Sequence, residues 1–385
     1  MQNVSLEGGP VALVGALDID RRGSGIVPRR LPGWTRPQVP AFMEIVLTMP
    51  SGVRLVFSTD SRNVELDVLP IRLEISKPPA PAAFDLVIDG DATRTEYTDC
   101  GDRLRIDLAN RGKATRMRGE AGCVRFTDLP PGTKHCELWL PSSAIVELRA
   151  LRIDAGANIS VTPRRARPRW VHHGSSISHC MEAHSPTRTW PVVAARLADV
   201  ELLNLGLAGN CHLDPFVART LRDEAADLLS LKVGINVVNA DSLKERTFAP
   251  ALHGFIDTVR EGHPTTPFLI ASPIYCPSAE QHPGPTVPNA DGVFVTLPGH
   301  EAIRQGSLTL SQMREIIRDV VAGRRQRGDE NLHYLDGLTL FGAADAGDLP
   351  DHLHPNGDGY VRMGQRFHEA AFGGNGPFAG GFQNR

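Results

Sequence analysis

The run Trp170-Val171-His172-His173-Gly174-Ser175-Ser176-Ile177 is a short, mostly apolar strand pattern that ends in a glycine and two serines. Glycine and serine favour turns and helix starts, so the spacing predicts a strand over 170–173, a tight turn, and a helix opening at the serines. A serine in such a turn stands at the C-terminal edge of a sheet. Its own N–H and those of the helix start can converge on whatever its hydroxyl attacks. Gly-Ser-Ser is also an ordinary turn and helix cap, and taken alone it would mean no more than that.

Downstream the same pattern recurs. Strands expected over 200–205, 228–233, 268–272 and 332–335 alternate with helices expected over 190–197, 215–226, 251–261, 310–325 and 359–371. Strand–helix alternation of this kind is the sequence form of an α/β domain with a mostly parallel sheet. Residues 273–299 are rich in proline and glycine and carry no period, so a long surface loop is expected there, placed to act as a lid.

Upstream the texture differs. Val53, Leu55 and Phe57 alternate with Arg54, Val56 and Ser58, and Val64, Leu66 and Val68 alternate with Glu65 and Asp67. Phe84 to Ile88 runs into Asp89-Gly90, a hairpin pair. Leu138-Trp139-Leu140 and residues 145–153 complete the set, and no window shows a helical period. Short strands with polar turns predict an all-β sandwich of jelly-roll type. Residues 155–169, with their prolines and arginines, read as a linker. The expected division is thus 1–154 for the sandwich and 170–385 for the α/β domain.

Composition bounds what these domains do. The 385 residues are 41% hydrophobic and 22% charged, with a net charge of −3, which gives no electrostatic reason to bind nucleic acid or an anionic membrane. No stretch approaches the roughly 20 apolar residues of a spanning helix. The first 20 residues lack a basic segment followed by an apolar run, so a cytoplasmic protein is expected. Six cysteines without paired spacing read as free thiols.

Two further segments sit at expected strand ends, and a third lies in a loop before the last expected helix. Asn204-Leu205-Gly206-Leu207-Ala208-Gly209-Asn210 offers glycines where backbone can approach a ligand closely. Val233-Gly234-Ile235-Asn236 offers a side-chain amide. Asp351-His352-Leu353-His354-Pro355-Asn356 puts a carboxylate three residues before an imidazole, a spacing that lets Asp351 hold one ring nitrogen of His354 and leaves the other free to take a serine proton. His352 with His354 lacks a third metal ligand, so no metal site is expected.

In order, these blocks resemble the SGNH (GDSL-like) serine hydrolase superfamily over residues 170–371. Trp190-Pro191 at the first long helix is similar as well. Ser175 stands where that family has aspartate, which resembles the subset with Gly-Ser-Ser-Ile and an N-terminal β-sandwich. The resemblance implies a flavodoxin-like three-layer α/β/α hydrolase domain. It implies Ser176 as nucleophile, His354 as base and Asp351 as its partner, with the oxyanion met by the N–H groups of Ser176 and Gly209 and the amide of Asn236. Ser175, His179, Arg188 and Asn210 are expected at the substrate pocket, and residues 181–188 are expected to line its rim. His172 and His173 are expected as one core and one partly buried histidine. Cys180 and Cys211 are expected as buried, inert thiols or a pocket wall.

The implied activity is serine esterase chemistry on a small acyl ester, such as an acylated carbohydrate or metabolite, through an acyl-enzyme and with no cofactor. The same residues would serve an acyltransferase or an enzyme tailoring a carrier-bound acyl group. A glycan-binding protein with a vestigial hydrolase half is the alternative from another class. The oligomeric state is not legible in the sequence.

Overall fold

In the computed structural model, residues 1–75, 78–107, 113–162, 166–298 and 301–379 are described. Residues 163–165 of the expected linker and Gly299 of the expected loop lie outside them. The chain forms two units: Met1–Ala166 with His184–Thr187, and Arg167–Ala183 with Arg188–Arg385.

The first unit is built from two sheets. One has eight strands, along the path Lys113–Met117, Asp102–Asp107, Val64–Glu74, Ala144–Ile153, Gly25–Arg29 and Asp18–Arg22, with two more strands off that path. The other has six, centred on Arg54–Thr59, Lys134–Trp139 and Ala82–Ile88. Pairings here are antiparallel except that of Val64–Glu74 with Asp102–Asp107. The alternation read from the sequence sets the inner faces: Leu55, Phe57, Val64, Leu66 and Val68 join Phe84, Leu86, Leu138 and Leu148 in one core. Asp89 and Gly90 both take positive φ, 51° and 86°, in the three-residue turn that joins Ala82–Ile88 to Ala92–Thr98, where Ile88 pairs with Ala92.

One expectation fails in this unit. Ala41–Leu47 is a helix that buries Met43, Val46 and Leu47. So short a helix behind Pro40 prints no period against the flanking strands, but i, i+3, i+4 burial is enough to hold it.

The second unit carries a five-stranded, wholly parallel sheet. Its spatial order is Glu201–Gly206, Arg169–Gly174, Leu228–Lys232, Phe268–Ala271, Leu332–Leu335. This 2-1-3-4-5 order is the flavodoxin-like doubly wound arrangement, and its switch point lies beside Arg169–Gly174. The strands are mostly apolar because helices cover both faces of a parallel sheet. The longest helices are Glu245–Gly262, Leu310–Gln326 and Gly357–Ala371.

The proline-rich stretch after Phe268–Ala271 is not structureless, contrary to the sequence expectation. Thr286–Pro288 pairs with Phe294–Thr296 in a small antiparallel hairpin. Three-residue strands are too short to show alternation between prolines. No helix among the described residues is long and apolar enough to cross a membrane.

Candidate active site

Arg169–Gly174 delivers the chain to the carboxyl edge of the sheet, and Ser176–His179 is the single helical turn that follows. Ser175 is the N-cap: its Oγ accepts from the N–H of Ile177 at 3.3 Å, and the residue is fully buried. The turn is held from beneath. Asn204 accepts the N–H of Gly206 at 2.9 Å and donates to the carbonyl of Ser178 at 3.0 Å. A Cβ on Gly206 would lie 2.4 Å from the Ser178 carbonyl carbon, so only glycine lets the neighbouring strand approach the Ser176–His179 turn so closely. Trp190 donates its indole N–H to the carbonyl of Ile177 at 2.8 Å. His172 bridges Ser230 and Ser178 at 2.7 and 2.8 Å, and burial keeps this imidazole well below its usual range and hence neutral. His173 is also fully buried, where partial burial of one of this pair was expected.

On the other side of the site, the helix Gly357–Ala371 is capped by Asn356, whose Oδ1 accepts the N–H of Gly359. The loop leading into that cap turns the Asp351 carboxylate back on itself. Asp351 Oδ1 accepts the backbone N–H groups of Leu353 and His354 at 2.9 and 2.7 Å, and Oδ2 accepts Nδ1–H of His354 at 2.6 Å. This leaves Nε2 as the outward nitrogen. It lies 2.8 Å from Ser176 Oγ, across 178 residues of chain.

The electrostatics fit that geometry. Burial alone would raise the Asp351 carboxyl, but its bonds to His354 win and hold it below the usual carboxylate range. Burial alone would likewise lower His354, yet Glu182 and Asp351 carry it up to about 9. Ser176 is 9% exposed, so its hydroxyl is reachable but largely shielded from water.

Three donors follow the carboxyl ends of three adjacent strands: the N–H groups of Ser176 and Gly209 and the side-chain nitrogen of Asn236. None of them has a hydrogen-bond partner among the described residues. Gly209 has a φ of 70°. Asn236, in the first turn after Gly234, accepts the N–H of Cys211 at 3.0 Å through Oδ1, which fixes the amide and leaves its NH2 available.

None of the four residues expected at the substrate pocket lines the cavity of about 500 Å³ beside the Asp351–His354 loop. Ser175 and His179 are buried in the turn around Ser176. Asn210 is buried and donates to the carbonyl of Ala208, within its own turn. Arg188 is exposed at the end of a short 3-10 turn. The rim expected over 181–188 is divided, because His184–Thr187 belong to the first unit.

A cavity of about 500 Å³ lies instead beside the Asp351–His354 loop. Phe294, Leu297 and Pro277 give it apolar walls, and His282, Arg304 and His352 give it basic groups. Phe294 meets the His354 ring edge-on at 5.7 Å, and its N–H donates to the carbonyl of Asp351 at 2.8 Å. The sequence carried no sign of Phe294, since it lies in the hairpin read as loop. Cys180 and Cys211 are buried with their thiols pushed up by desolvation, which makes them inert. No cluster of three or more His, Cys, Asp or Glu side chains able to hold a metal occurs among the described residues.

A doubly wound sheet, with a serine at the end of its second strand in space and an Asp-x-x-His loop late in the chain, defines a serine hydrolase of the SGNH type. Residues 173–362 match the profile of the GDSL-like lipase/acylhydrolase family, and this segment is a domain of that type. Among solved structures, a salicylyl-acyltransferase from a tetracycline biosynthetic pathway is similar at 29% identity over 95% of both chains, with a TM-score of 0.78. A Bacteroides ovatus protein described as a GDSL-like lipase is 19% identical over 94% of this chain and 95% of its own, with a TM-score of 0.67. A family two carbohydrate esterase from Clostridium thermocellum, in complex with cellohexaose, is 12% identical over 94% and 98%, with a TM-score of 0.58. No curated protein sequence matches the chain.

Proposed function

We propose that this protein transfers a small acyl group from an ester to water, with Ser176 as nucleophile, His354 as general base and Asp351 as its orienting carboxylate. The observation that carries the reading is the unbroken series Asp351 Oδ2, His354 Nδ1, His354 Nε2 and Ser176 Oγ, with contacts of 2.6 and 2.8 Å. In the neutral ring Nε2 accepts the serine proton as Oγ attacks the acyl carbonyl. The electron pair moves onto the carbonyl oxygen, where the N–H groups of Ser176 and Gly209 and the amide of Asn236 would meet it. Collapse of that intermediate expels the alkoxide, to which His354 returns the proton, and the acyl-serine remains. A water activated by the same imidazole then releases the acid.

The cavity beside Phe294 suits an acyl or alcohol group with an apolar or aromatic body. A second reading is favoured by the 29% identity to a salicylyl-acyltransferase across both units: an acceptor alcohol takes the place of water in the last step. Nothing in the Ser–His–Asp relay distinguishes the two acceptors.

Ser176→Ala and His354→Ala should each reduce release of p-nitrophenol from short-chain and aryl esters by about 10³-fold or more. A fluorophosphonate should label the parent protein and not Ser176→Ala. Full turnover in both variants would remove the assignment. Product analysis in the presence of small alcohols separates the two readings, because only transfer yields a new ester.

A further inference from the structure

We propose that Glu182 is a second carboxylate acting on His354, a positioning residue that shares with Asp351 the task of holding the protonated imidazole and is itself held by Tyr360. The inference rests on Ser176 and His354 being nucleophile and base. Glu182 follows the nucleophile turn. Its Oε1 stands 3.9 Å from His354 Nδ1, and its Oε2 accepts the Tyr360 hydroxyl at 2.9 Å. Tyr360 is fully buried in the first turn of the helix that the Asp351–His354 loop enters. Two carboxylates therefore converge on one ring nitrogen from distant parts of the chain.

They do different things there. Asp351 takes the one Nδ1 proton in a 2.6 Å hydrogen bond and so fixes the ring's orientation. Glu182, beyond hydrogen-bond reach, acts through its charge alone. No lysine or arginine pairs with Glu182 among the described residues. The other titratable groups nearby are Cys180, from the end of the same turn, and Tyr360, from the helix; both are pushed up by burial and stay neutral. The Phe294 ring, from the hairpin, brings no charge. The field on the imidazole is thus negative, and the ring is held cationic up to about 9. Glu182 is 35% exposed at its side chain, so solvent damps its share.

The consequence is a trade. A strongly held imidazolium stabilises the charge that forms as serine attacks, but it must lose its proton before it can act as base. Below about 9, kcat/KM should climb close to tenfold per pH unit. Glu182→Gln keeps the shape and removes the charge. An opposite charge at this distance shifts a pKa by roughly 1–3 units, and the exposure puts Glu182 at the low end, about 1.

The test is the pH profile of kcat/KM for a p-nitrophenyl ester from mildly acid to alkaline pH. The proteins compared are the parent, Glu182→Gln, Tyr360→Phe, Asp351→Ala and the Asp351→Ala/Glu182→Gln double variant. The ring resonance of His354, assigned by its loss in His354→Ala, is titrated in parallel. Glu182→Gln is expected to move both curves toward acid by about one unit, with higher activity at neutral pH and a lower plateau. Tyr360→Phe, which frees the carboxylate to turn away, should give a smaller shift in the same direction. Asp351→Ala should retain activity that the double variant loses. Coincident curves for Glu182→Gln and the parent, with Ser176→Ala inactive, would overturn the role of Glu182 and leave the nucleophile standing. Undiminished turnover by Ser176→Ala would overturn both.

Discussion

Asn236 is fixed on one side by the N–H of Cys211 and is open on the other, an arrangement suited to a donor that does not reorganise during reaction. Asn236→Ala should therefore lower kcat by about 10²–10³-fold with little change in KM, as loss of a preorganised oxyanion donor does. A KM effect with kcat intact would assign Asn236 to ground-state binding. Ser176, Asn236, Asp351 and His354 were legible because each has a motif of its own at a strand or helix end, where backbone geometry restricts residue choice. Glu182 and Phe294 were not. One is a charged residue in a turn, the other an aromatic among prolines, and what singles them out is distance to a histidine remote in the chain, which no local pattern records.

Among the elements, the five parallel strands were the most legible. A strand covered on both faces must be largely apolar, and only the ends slipped by a residue or so. One charged residue among them is Lys232, which closes Leu228–Lys232 and is almost wholly buried. Burial lowers its ammonium to about 8. The unfolded chain keeps an ordinary lysine, so between about 8 and 10.5 it binds more protons than the folded one. Stability should thus rise with pH through that window, and the cost of the buried charge is fully present below it. Lys232→Met removes the charge and keeps the length. It should raise the stability to denaturant at neutral pH by about 2–3 kcal/mol, an advantage that shrinks as the solution becomes alkaline. Unchanged or lowered stability at neutral pH would mean that the ammonium is solvated by partners. The short elements were hidden for the opposite reason: Ala41–Leu47 and the hairpin at 286–296 take their stability from tertiary contacts, and neither is long enough for a period.

For the molecule as a whole, the sequence separated a strand-rich half from an alternating half, but not the detour of His184–Thr187 into the first unit. There the buried carboxylate of Asp85 accepts from Ser185 Oγ at 2.7 Å, Thr187 N at 2.8 Å and Thr187 Oγ1 at 2.6 Å, while its other oxygen accepts from Thr95 at 2.7 Å. Serine and threonine in a proline-containing turn carry no mark of a distant partner. Asp85→Ala strands these donors, and should cost about 3 kcal/mol in the unfolding of the first unit. A melting curve unchanged from the parent's would show that water replaces the carboxylate.

The detour also constrains how such a protein can be taken apart or recombined. A single cut after Ala166 yields one fragment that lacks the residues its buried aspartate is bonded to, and another that carries those residues as a loose loop. Swapping the front half for that of a relative would require transplanting His184–Thr187 from the back half as well.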